Sequence, residues 1–281
     1  MSEKRNEYFD PKTHKYPFPE FTDQHYLVVK KDDGTVFDAS YPYIDRSKPF
    51  LFKRKMVRFL LHLIVFPVLY VKLGLRIQGK ENLKKHKKEL AGGAVMMSNH
   101  VHLWDYLAIL CAVKRPDVAV VVWKKNVSGE NGPLIRSVGG IPIPEGDFKA
   151  TKAFMNTVDG FLSEGGLLQV YGEGSMWEYY APIRPFKFGA ANFAIRNGKP
   201  ILPMAFSYRK PSWIRRLFKQ PGAFTLSIGE PLYANPELES TEAQAELLTR
   251  VHDSVCRLAG IDPEKNIYPP LFHQNHKVNY Y

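Results

Sequence analysis

The sequence is short of cysteine, of long hydrophobic runs and of acidic residues relative to basic ones. Its two cysteines, Cys111 and Cys256, form neither a disulfide framework nor a metal-ligand pattern, which favours a reducing compartment. The first ten residues are charged and hold no apolar stretch, so we expect no cleavable signal peptide. No Gly-x-Ser-x-Gly segment occurs, which argues against a serine nucleophile on a strand-to-helix elbow.

The excess of positive charge permits an anionic partner. Lysine and arginine number 39 against 28 aspartates and glutamates, for a formal net charge of +11. Nucleic acid, an anionic membrane surface or a polyanionic cosubstrate would each complement this charge. The sequence shows no zinc-finger spacing and no aromatic RNA-binding motif, so we expect no nucleic-acid partner.

The chain divides into four stretches by composition. Residues 1–49 are polar and predicted to form an irregular extension, whereas residues 50–78 combine basic and apolar side chains. Residues 79–260 alternate β-branched runs with helix-forming segments, and residues 261–281 form a tail without a motif. The alternation predicts an α/β fold with a mostly parallel sheet flanked by helices. We expect strands at 118–122, 141–143, 167–171 and 201–206, and helices at 103–113, 148–163, 188–197 and 242–258.

The 50–78 segment is predicted to be amphipathic and membrane-associated. It opens with a basic cluster and continues with 13 mostly apolar residues at 59–71, and the cluster comprises Lys53, Arg54, Lys55 and Arg58. Spanning a bilayer takes roughly 20 apolar residues, and Pro67 would kink a helix there. We therefore predict an interfacial helix whose cations face anionic head groups. The alternative is a buried core helix with a basic flank.

A histidine and an aspartate follow the apolar run at 94–97. Asn99 and His100 come directly after it, and Asp105 stands five positions beyond the histidine. Reactive groups in parallel sheets gather beyond the carboxyl ends of the strands. A carboxylate beside an imidazole orients the ring and stabilises the imidazolium formed when it takes a proton. We predict that His100 is a general base oriented by Asp105 and that it activates a substrate hydroxyl or amine directly.

A glycine-rich turn follows a second apolar run. Gly172-Glu173-Gly174 comes after residues 167–170, where a tight turn would present backbone N–H groups and one carboxylate at the end of a strand. A third segment, residues 184–206, is predicted to be a helix that ends near Gly198 and returns into a strand.

In this order, the segments resemble the lysophospholipid acyltransferase superfamily, typified by 1-acylglycerol-3-phosphate acyltransferases. The Asn-His-x-x-x-x-Asp block of that family stands here at 99–105, and its lysine-led block ending in Gly-x-Ile-Pro-Val resembles residues 123–143. Residues 171–176 match its Phe-Pro-Glu-Gly-Thr-Arg block in part, followed by Pro-Phe-Lys-x-Gly-Ala at 185–190. Ile-Leu-Pro-Met at 201–204 is similar to its Val-Ile-Pro-Val strand.

The resemblance implies a glycerolipid-acyltransferase-like fold and an O-acyltransferase reaction. His100, held by Asp105, would deprotonate the hydroxyl of a membrane lipid acceptor, which attacks the thioester of acyl-CoA or acyl-carrier protein. We expect no metal and no further cofactor, and a location at the cytoplasmic face of a membrane. The residues expected at the acceptor are Glu173, Gly174, Ser175, Arg184 and Lys187, and those expected at the donor are Lys124 and Lys125.

Two positions depart from the family pattern. Met176 stands where an arginine follows Glu-Gly-Thr, and Glu145 stands where the second block has its arginine. Because arginine pairs bidentately with phosphate, these replacements predict an acceptor that is not a simple phosphomonoester. Aromatic side chains would then offer stacking surfaces, namely Trp177, Tyr179 and Tyr180. In the competing account, other cations reach the same phosphate: Arg184, Lys187 or Lys149.

Two other functions remain open from the sequence. A lipid-binding homologue would keep the fold without turnover. A metal-dependent hydrolase would use His100, His102 and Asp105 as ligands, although His-x-His and one acid form a sparse set. Otherwise His102 packs or hydrogen-bonds locally.

Overall fold

The computed structural model describes residues 32–210, 212–213 and 222–266, so most of the predicted extension and tail lies outside the described residues. Within these ranges seven strands form one sheet. They are β1 (Arg76–Gln78), β2 (Ala94–Ser98), β3 (Val118–Trp123), β4 (Gly140–Ile143), β5 (Leu167–Tyr171), β6 (Ile201–Arg209) and β7 (Ala223–Ile228). Their order is β1-β7-β6-β2-β5-β3-β4. Only the β6–β7 pair is antiparallel among the described strands, which confirms the mostly parallel sheet.

Helices cover both faces of this sheet. They are α1 (Lys48–Leu60), α2 (Phe66–Val71), α3 (Lys80–Lys85), α4 (Lys87–Ala91), α5 (Asp105–Val113), α6 (Lys124–Ser128), α7 (Gly132–Ser137), α8 (Phe148–Ser163), α9 (Asn192–Arg196) and α10 (Ser240–Ala259). The predicted helix at 148–163 matches α8 end to end, and α8 starts where the Asp147 carboxylate accepts the backbone N–H of Lys149 at 2.7 Å. The predicted helix at 188–197 instead divides into a 3₁₀ turn, Phe188–Ala190, and α9.

Strand β2 shows why the central strands are continuous apolar runs. Ala94 and Met96 enter a core shared with α2 and α5, whereas Val95 and Met97 enter a second core shared with α8 and α10. Successive side chains of a strand point to opposite faces. A strand covered on both faces therefore needs apolar residues at every position.

The two strands that the sequence did not predict lie together at one end of the sheet. β1 has three residues, and β7 contains the polar Thr225 and Ser227. A short strand and a strand with interleaved polar residues both lack the apolar run that marks the other strands. The β6–β7 pair, the one antiparallel pair found among the described strands, lies on this side of the sheet.

Helix α1 docks against the sheet through two of its four clustered cations. Arg58 Nη1 donates to the Arg115 carbonyl at 2.7 Å, and Arg54 Nη2 donates to the Val118 carbonyl at 3.0 Å. Burial lowers the pKa of both guanidinium groups. The expectation that the whole cluster faces head groups is thus corrected, because only Lys53 and Lys55 are exposed.

Pro67 does not end the helical segment. A π-helical turn, Leu61–Val65, joins α1 to α2 just before the proline, and His62 Nδ1 donates to the Arg58 carbonyl at 2.7 Å. Within residues 32–210, 212–213 and 222–266, no helix has both the length and the apolar character needed to cross a bilayer.

Candidate active site

The carboxyl ends of β2 and β5 meet at one edge of the sheet. Ser98 pairs in register with Tyr171, and the Gly172 N–H donates to the Ser98 carbonyl at 3.1 Å. The segments that follow the two strands, which begin at Asn99 and Gly172, are therefore neighbours in space. This juxtaposition brings the predicted His100 block and the predicted glycine-rich turn into one site.

Asn99 fixes the point at which the chain leaves β2. Its Nδ2 donates to the Phe206 carbonyl at 3.0 Å, and its Oδ1 accepts the Phe206 N–H at 2.8 Å. The buried side chain thereby continues the β2–β6 ladder beyond the end of β2. The sequence analysis predicted no role for Asn99. An amide side chain directly after a buried strand could have indicated these two hydrogen bonds to a neighbouring strand.

Asp105 lies at the start of α5 and holds the His100 ring by one edge. His100 Nδ1 lies 3.1 Å from Asp105 Oδ2, which also accepts the backbone N–H groups of Val101 at 2.7 Å and His102 at 2.9 Å. A carboxylate only accepts hydrogen bonds, so Nδ1 carries the proton and Nε2 keeps its lone pair. No group in the described part of the chain hydrogen-bonds to Nε2, and the His100 side chain is 23% exposed.

His100 is further restrained by the turn after β5. The His100 backbone N–H donates to Glu173 Oε2 at 2.9 Å. The Tyr171 ring stacks on the imidazole with ring centroids 3.7 Å apart. Together with Asp105, these contacts present Nε2 as a proton acceptor at the edge of the sheet.

Arg184 and Glu173 form an ion pair beneath the site rather than on its surface. Arg184 Nη2 lies 2.8 Å from Glu173 Oε2, its backbone N–H reaches Glu173 Oε1 at 2.8 Å, and its Nη1 donates to Ser175 Oγ at 2.8 Å. Both side chains are only 1% exposed, and Ser175 is also buried. The three side chains expected at the acceptor are thus buried in this structure, and the ion pair anchors the turn to the backbone of His100. Their contact with an acceptor stays a prediction.

Lys187 and Gly174 keep the surface position expected of acceptor contacts. Lys187 is exposed, and its side chain crosses Gly174 so closely that a Cβ there would lie 2.4 Å from Lys187 Cε. Gly174 also has a φ of 74°, which favours glycine. Glycine therefore suits position 174, because a Cβ there would crowd the Lys187 side chain on its way to solvent.

The two expected donor lysines, Lys124 and Lys125, directly follow β3, and Glu145 follows β4. Lys124 Nζ is 2.9 Å from Glu145 Oε2, and Trp123 Nε1 donates to Glu145 Oε1 at 3.0 Å. Partial burial alone would raise the pKa of Glu145, but these hydrogen bonds and the nearby lysines outweigh it and lower that pKa. Lys125 is exposed and lies over the Trp123 ring. Glu145 thus offsets the charge of Lys124.

The residues after Ser175 pack inward. Met176 is 8% exposed, and Trp177, Tyr179 and Tyr180 are buried as well. The backbone N–H of Trp177 donates to the His100 carbonyl at 3.0 Å, and that of Tyr179 to the Val101 carbonyl at 2.8 Å. The expectation that the three aromatic residues stack on an acceptor is wrong for this conformation, because they support the His100 loop from behind.

His102 packs locally beside the pair. Its Nδ1 accepts the Trp104 N–H at 3.1 Å, and its Nε2 lies 3.8 Å from Glu178 Oε1. Burial lowers the pKa of His102. Across the described ranges no group of three histidines, cysteines or acids is placed to hold a metal ion.

Two comparisons with known proteins gave a match. Residues 74–207, just under half of the chain, match the model of the Acyltransferase family. A search of the curated proteins gives no match. The chain is similar to a crystal structure of the 1-acyl-sn-glycerophosphate (LPA) acyltransferase PlsC from Thermotoga maritima, at 21% identity and a TM-score of 0.49, over 76% of this chain and 82% of that chain. The matched family range contains His100, Asp105 and Glu173.

Proposed function

We propose that the chain is a membrane-associated O-acyltransferase, and the match of residues 74–207 to the Acyltransferase family model supports the transfer of an acyl group. It moves a fatty acyl group from acyl-CoA or acyl-carrier protein to a hydroxyl of a lysophospholipid or related glycerolipid. The observation that carries this proposal is the His100–Asp105 pair. His100 Nδ1 lies 3.1 Å from Asp105 Oδ2, and no group among the described residues hydrogen-bonds to Nε2.

The reaction needs one base and no protein nucleophile. His100 Nε2 takes the proton of the acceptor hydroxyl, and the oxygen forms a bond to the thioester carbonyl carbon. The C–S bond then breaks, and the imidazolium returns the proton to the departing thiolate. An ester and a free thiol result, and His100 ends in its starting state. Asp105 keeps the ring oriented and offsets the imidazolium charge throughout.

An exposed apolar stripe on α1, the π-helical turn and α2 supports the membrane part of the proposal. It comprises Phe52, Met56, Phe59, Leu60, Leu63, Ile64 and Val71. Exposed apolar stripes of this length mark interaction surfaces, and the adjacent lysines suit anionic lipids. Past the stripe, Leu69 and Leu73 line a hollow that also has Trp104 and Asp105 in its wall. The same helical segment therefore leads from the proposed membrane surface towards the proposed active site. The proposed location is the cytoplasmic face of the membrane.

The arrangement of cations supports an acceptor other than a phosphomonoester. Arg184 is buried against Glu173, and Lys124 is paired with Glu145. Lys187 and Lys149 are exposed, and neither forms an ion pair with an acidic residue in the described part of the chain. A neutral or zwitterionic lipid hydroxyl fits this distribution better than a group with close to two negative charges.

An acceptor screen tests the proposal. Labelled acyl-CoA is supplied with a total lipid extract, and the products are identified by mass spectrometry. Wild-type protein is expected to acylate a lipid, and His100→Ala to lose about 10²–10⁴-fold in rate while remaining folded. His102→Ala serves as the neighbouring control with a mild effect. Near-wild-type turnover by His100→Ala contradicts the mechanism, and lipid binding without thioester consumption favours the non-catalytic alternative.

Vesicle co-sedimentation tests the membrane surface. Phe59→Ser combined with Leu63→Ser should lower binding to anionic vesicles by about tenfold or more, because each apolar side chain contributes roughly 1.5–3 kcal/mol when buried. Val36→Ser with Tyr233→Ser is a matched control, since these exposed side chains lie outside the stripe. Added salt should weaken the residual binding. Unchanged vesicle binding by the Phe59→Ser, Leu63→Ser variant would contradict the proposal that α1 and α2 lie at the membrane interface.

A further inference from the structure

Tyr171, the last residue of β5, lies face to face with the His100 imidazole. The ring centroids are 3.7 Å apart and the ring planes differ by 10°. The contact is built into the sheet, because Tyr171 pairs in register with Ser98, two residues before His100. We propose that Tyr171 is a positioning residue whose ring sets the plane of the His100 imidazole and stabilises the imidazolium formed during transfer. This inference rests on the proposed function.

The Tyr171 ring supplies a restraint that the other contacts of His100 do not. Asp105 holds one ring nitrogen and Glu173 holds the backbone N–H. A hydrogen bond at one edge leaves the imidazole able to tilt about that edge. A parallel ring at van der Waals distance limits the tilt, so Nε2 stays aimed at the acceptor hydroxyl. Base catalysis is sensitive to such alignment, since a misplacement near 1 Å can lower the rate about 100-fold.

The same stacking favours the charged form of the base. The face of an aromatic ring carries negative electrostatic potential and attracts a cation within about 6 Å. The neutral imidazole gains little from it, whereas the imidazolium is attracted as soon as the proton arrives. An interaction that strengthens as charge develops acts on the transition state more than on the bound substrate.

The Tyr171 hydroxyl has no part in this role. Its oxygen is buried and has no hydrogen-bond partner among the described residues. Burial first, and then the charge of Asp105, raises the pKa of Tyr171 well above 10. The phenol therefore stays neutral in the working pH range, and the ring alone carries the proposed effect.

Several charged and titratable groups near His100 affect the pH dependence of the rate. Asp105 faces it from α5, and His102 follows it in the loop. Glu173, which is paired with Arg184, accepts the His100 backbone N–H from the segment after β5. Glu178, on the same segment, has its Oε1 3.8 Å from His102 Nε2. These groups stay in place when Tyr171 is changed, so a shift of the profile between two Tyr171 variants reports the ring.

The test compares Tyr171→Leu, which removes the ring, with Tyr171→Phe, which keeps it and lacks only the hydroxyl. Full-length protein is assayed with palmitoyl-CoA and a total lipid extract on anionic vesicles. Tyr171→Leu should lower kcat by about 10- to 100-fold with KM within about twofold, and Tyr171→Phe should restore kcat to within about twofold of wild type. Phe154→Leu, an aromatic loss in the other core, should lower thermal stability and leave kcat unchanged.

Two readouts separate positioning from a structural role. The acid limb of the pH–rate profile of Tyr171→Leu should lie about 0.4–0.7 pH units below that of Tyr171→Phe, because a cation–π contact contributes about 0.5–1 kcal/mol. In histidine-labelled protein, NMR should show the ring-current shift of His100 kept in Tyr171→Phe and lost in Tyr171→Leu, with the same displacement of its titration.

Equal kcat and equal profiles for the two variants would overturn the proposal. If wild-type protein transfers no acyl group, the proposed function fails, and the NMR titration alone judges Tyr171. In that case a displaced titration in Tyr171→Leu supports the role of the ring, and an unchanged one overturns it.

Discussion

Two corners of the same sheet edge hold their charges in opposite ways. In the proposed catalytic corner, at the ends of β2 and β5, Asp105, Glu173 and Arg184 are buried and tied to backbone groups. In the outer corner, at the ends of β3 and β4, Lys124 and Glu145 pair at the surface. The corners lie roughly 10–14 Å apart, two to three strand spacings. Buried groups keep one geometry, which suits a base, whereas exposed groups can adjust, which suits recognition.

The largest expected effect comes from breaking the buried pair of the catalytic corner. Arg184→Ala leaves the Glu173 carboxylate buried without its guanidinium, which should lower the free energy of unfolding by about 3–5 kcal/mol. Arg46→Ala removes an exposed partner of Glu164 and should lower it by no more than about 1 kcal/mol. Urea unfolding measures both. Equal losses in the two variants would contradict the difference drawn between buried and exposed pairs.

The next largest effect concerns the choice of acyl acceptor by the outer corner and Lys187. With Arg184 buried and Lys124 neutralised by Glu145, lysophosphatidic acid should be acylated about tenfold or more slowly than lysophosphatidylcholine, because charge-assisted contacts contribute roughly 1.5–3 kcal/mol. Initial rates on matched vesicles decide this. Efficient use of lysophosphatidic acid would instead show that Lys187 or Lys149 binds its phosphate.

A smaller effect sharpens the same comparison. Glu145→Gln removes the charge that offsets Lys124, so the rate on lysophosphatidic acid should rise by up to about fivefold, the range of an exposed ion pair. The rate on lysophosphatidylcholine should stay within about twofold. Lys125→Gln provides the matched control, since Lys125 lies over Trp123 and not against Glu145. If the variant lowers both rates equally, Glu145 supports the local structure and does not tune the charge.

The sequence predicted the features that depend on periodicity and order. Helix α8 matched end to end, and the continuous apolar runs correctly indicated buried parallel strands. The His100–Asp105 spacing also anticipated their contact, because five residues around the start of a helix leave the two side chains close. These are local patterns, or patterns repeated along one element.

The sequence did not predict the direction of individual side chains across the fold. The sequence gives no sign that Arg184 is buried, yet it forms a buried ion pair with Glu173. Arg54 and Arg58 likewise bind carbonyls at the start of β3, far along the chain. Such contacts depend on which strands become neighbours, which spacing alone does not specify. The stack of Tyr171 on His100 belongs to this class.

The structure also changes one design suggested by the family pattern. By the family pattern alone, Met176→Arg would restore the arginine of the family block and favour phosphate acceptors. Met176 is 8% exposed beside the backbone that supports His100. An arginine there would need burial or a shift of the loop, so we expect lower stability rather than a new phosphate contact. Glu145→Gln is the better route to that question.

A double-mutant cycle on the catalytic corner tests the central claim most directly. His100→Ala, Asp105→Asn and the double variant are compared by kcat/KM for transfer of labelled acyl groups from acyl-CoA to the lipid identified in the acceptor screen. If Asp105 acts through His100, the double variant should be no slower than His100→Ala, because groups that work as one unit are strongly non-additive. Losses that multiply across the two sites would contradict the account, since Asp105 would then contribute independently of the base.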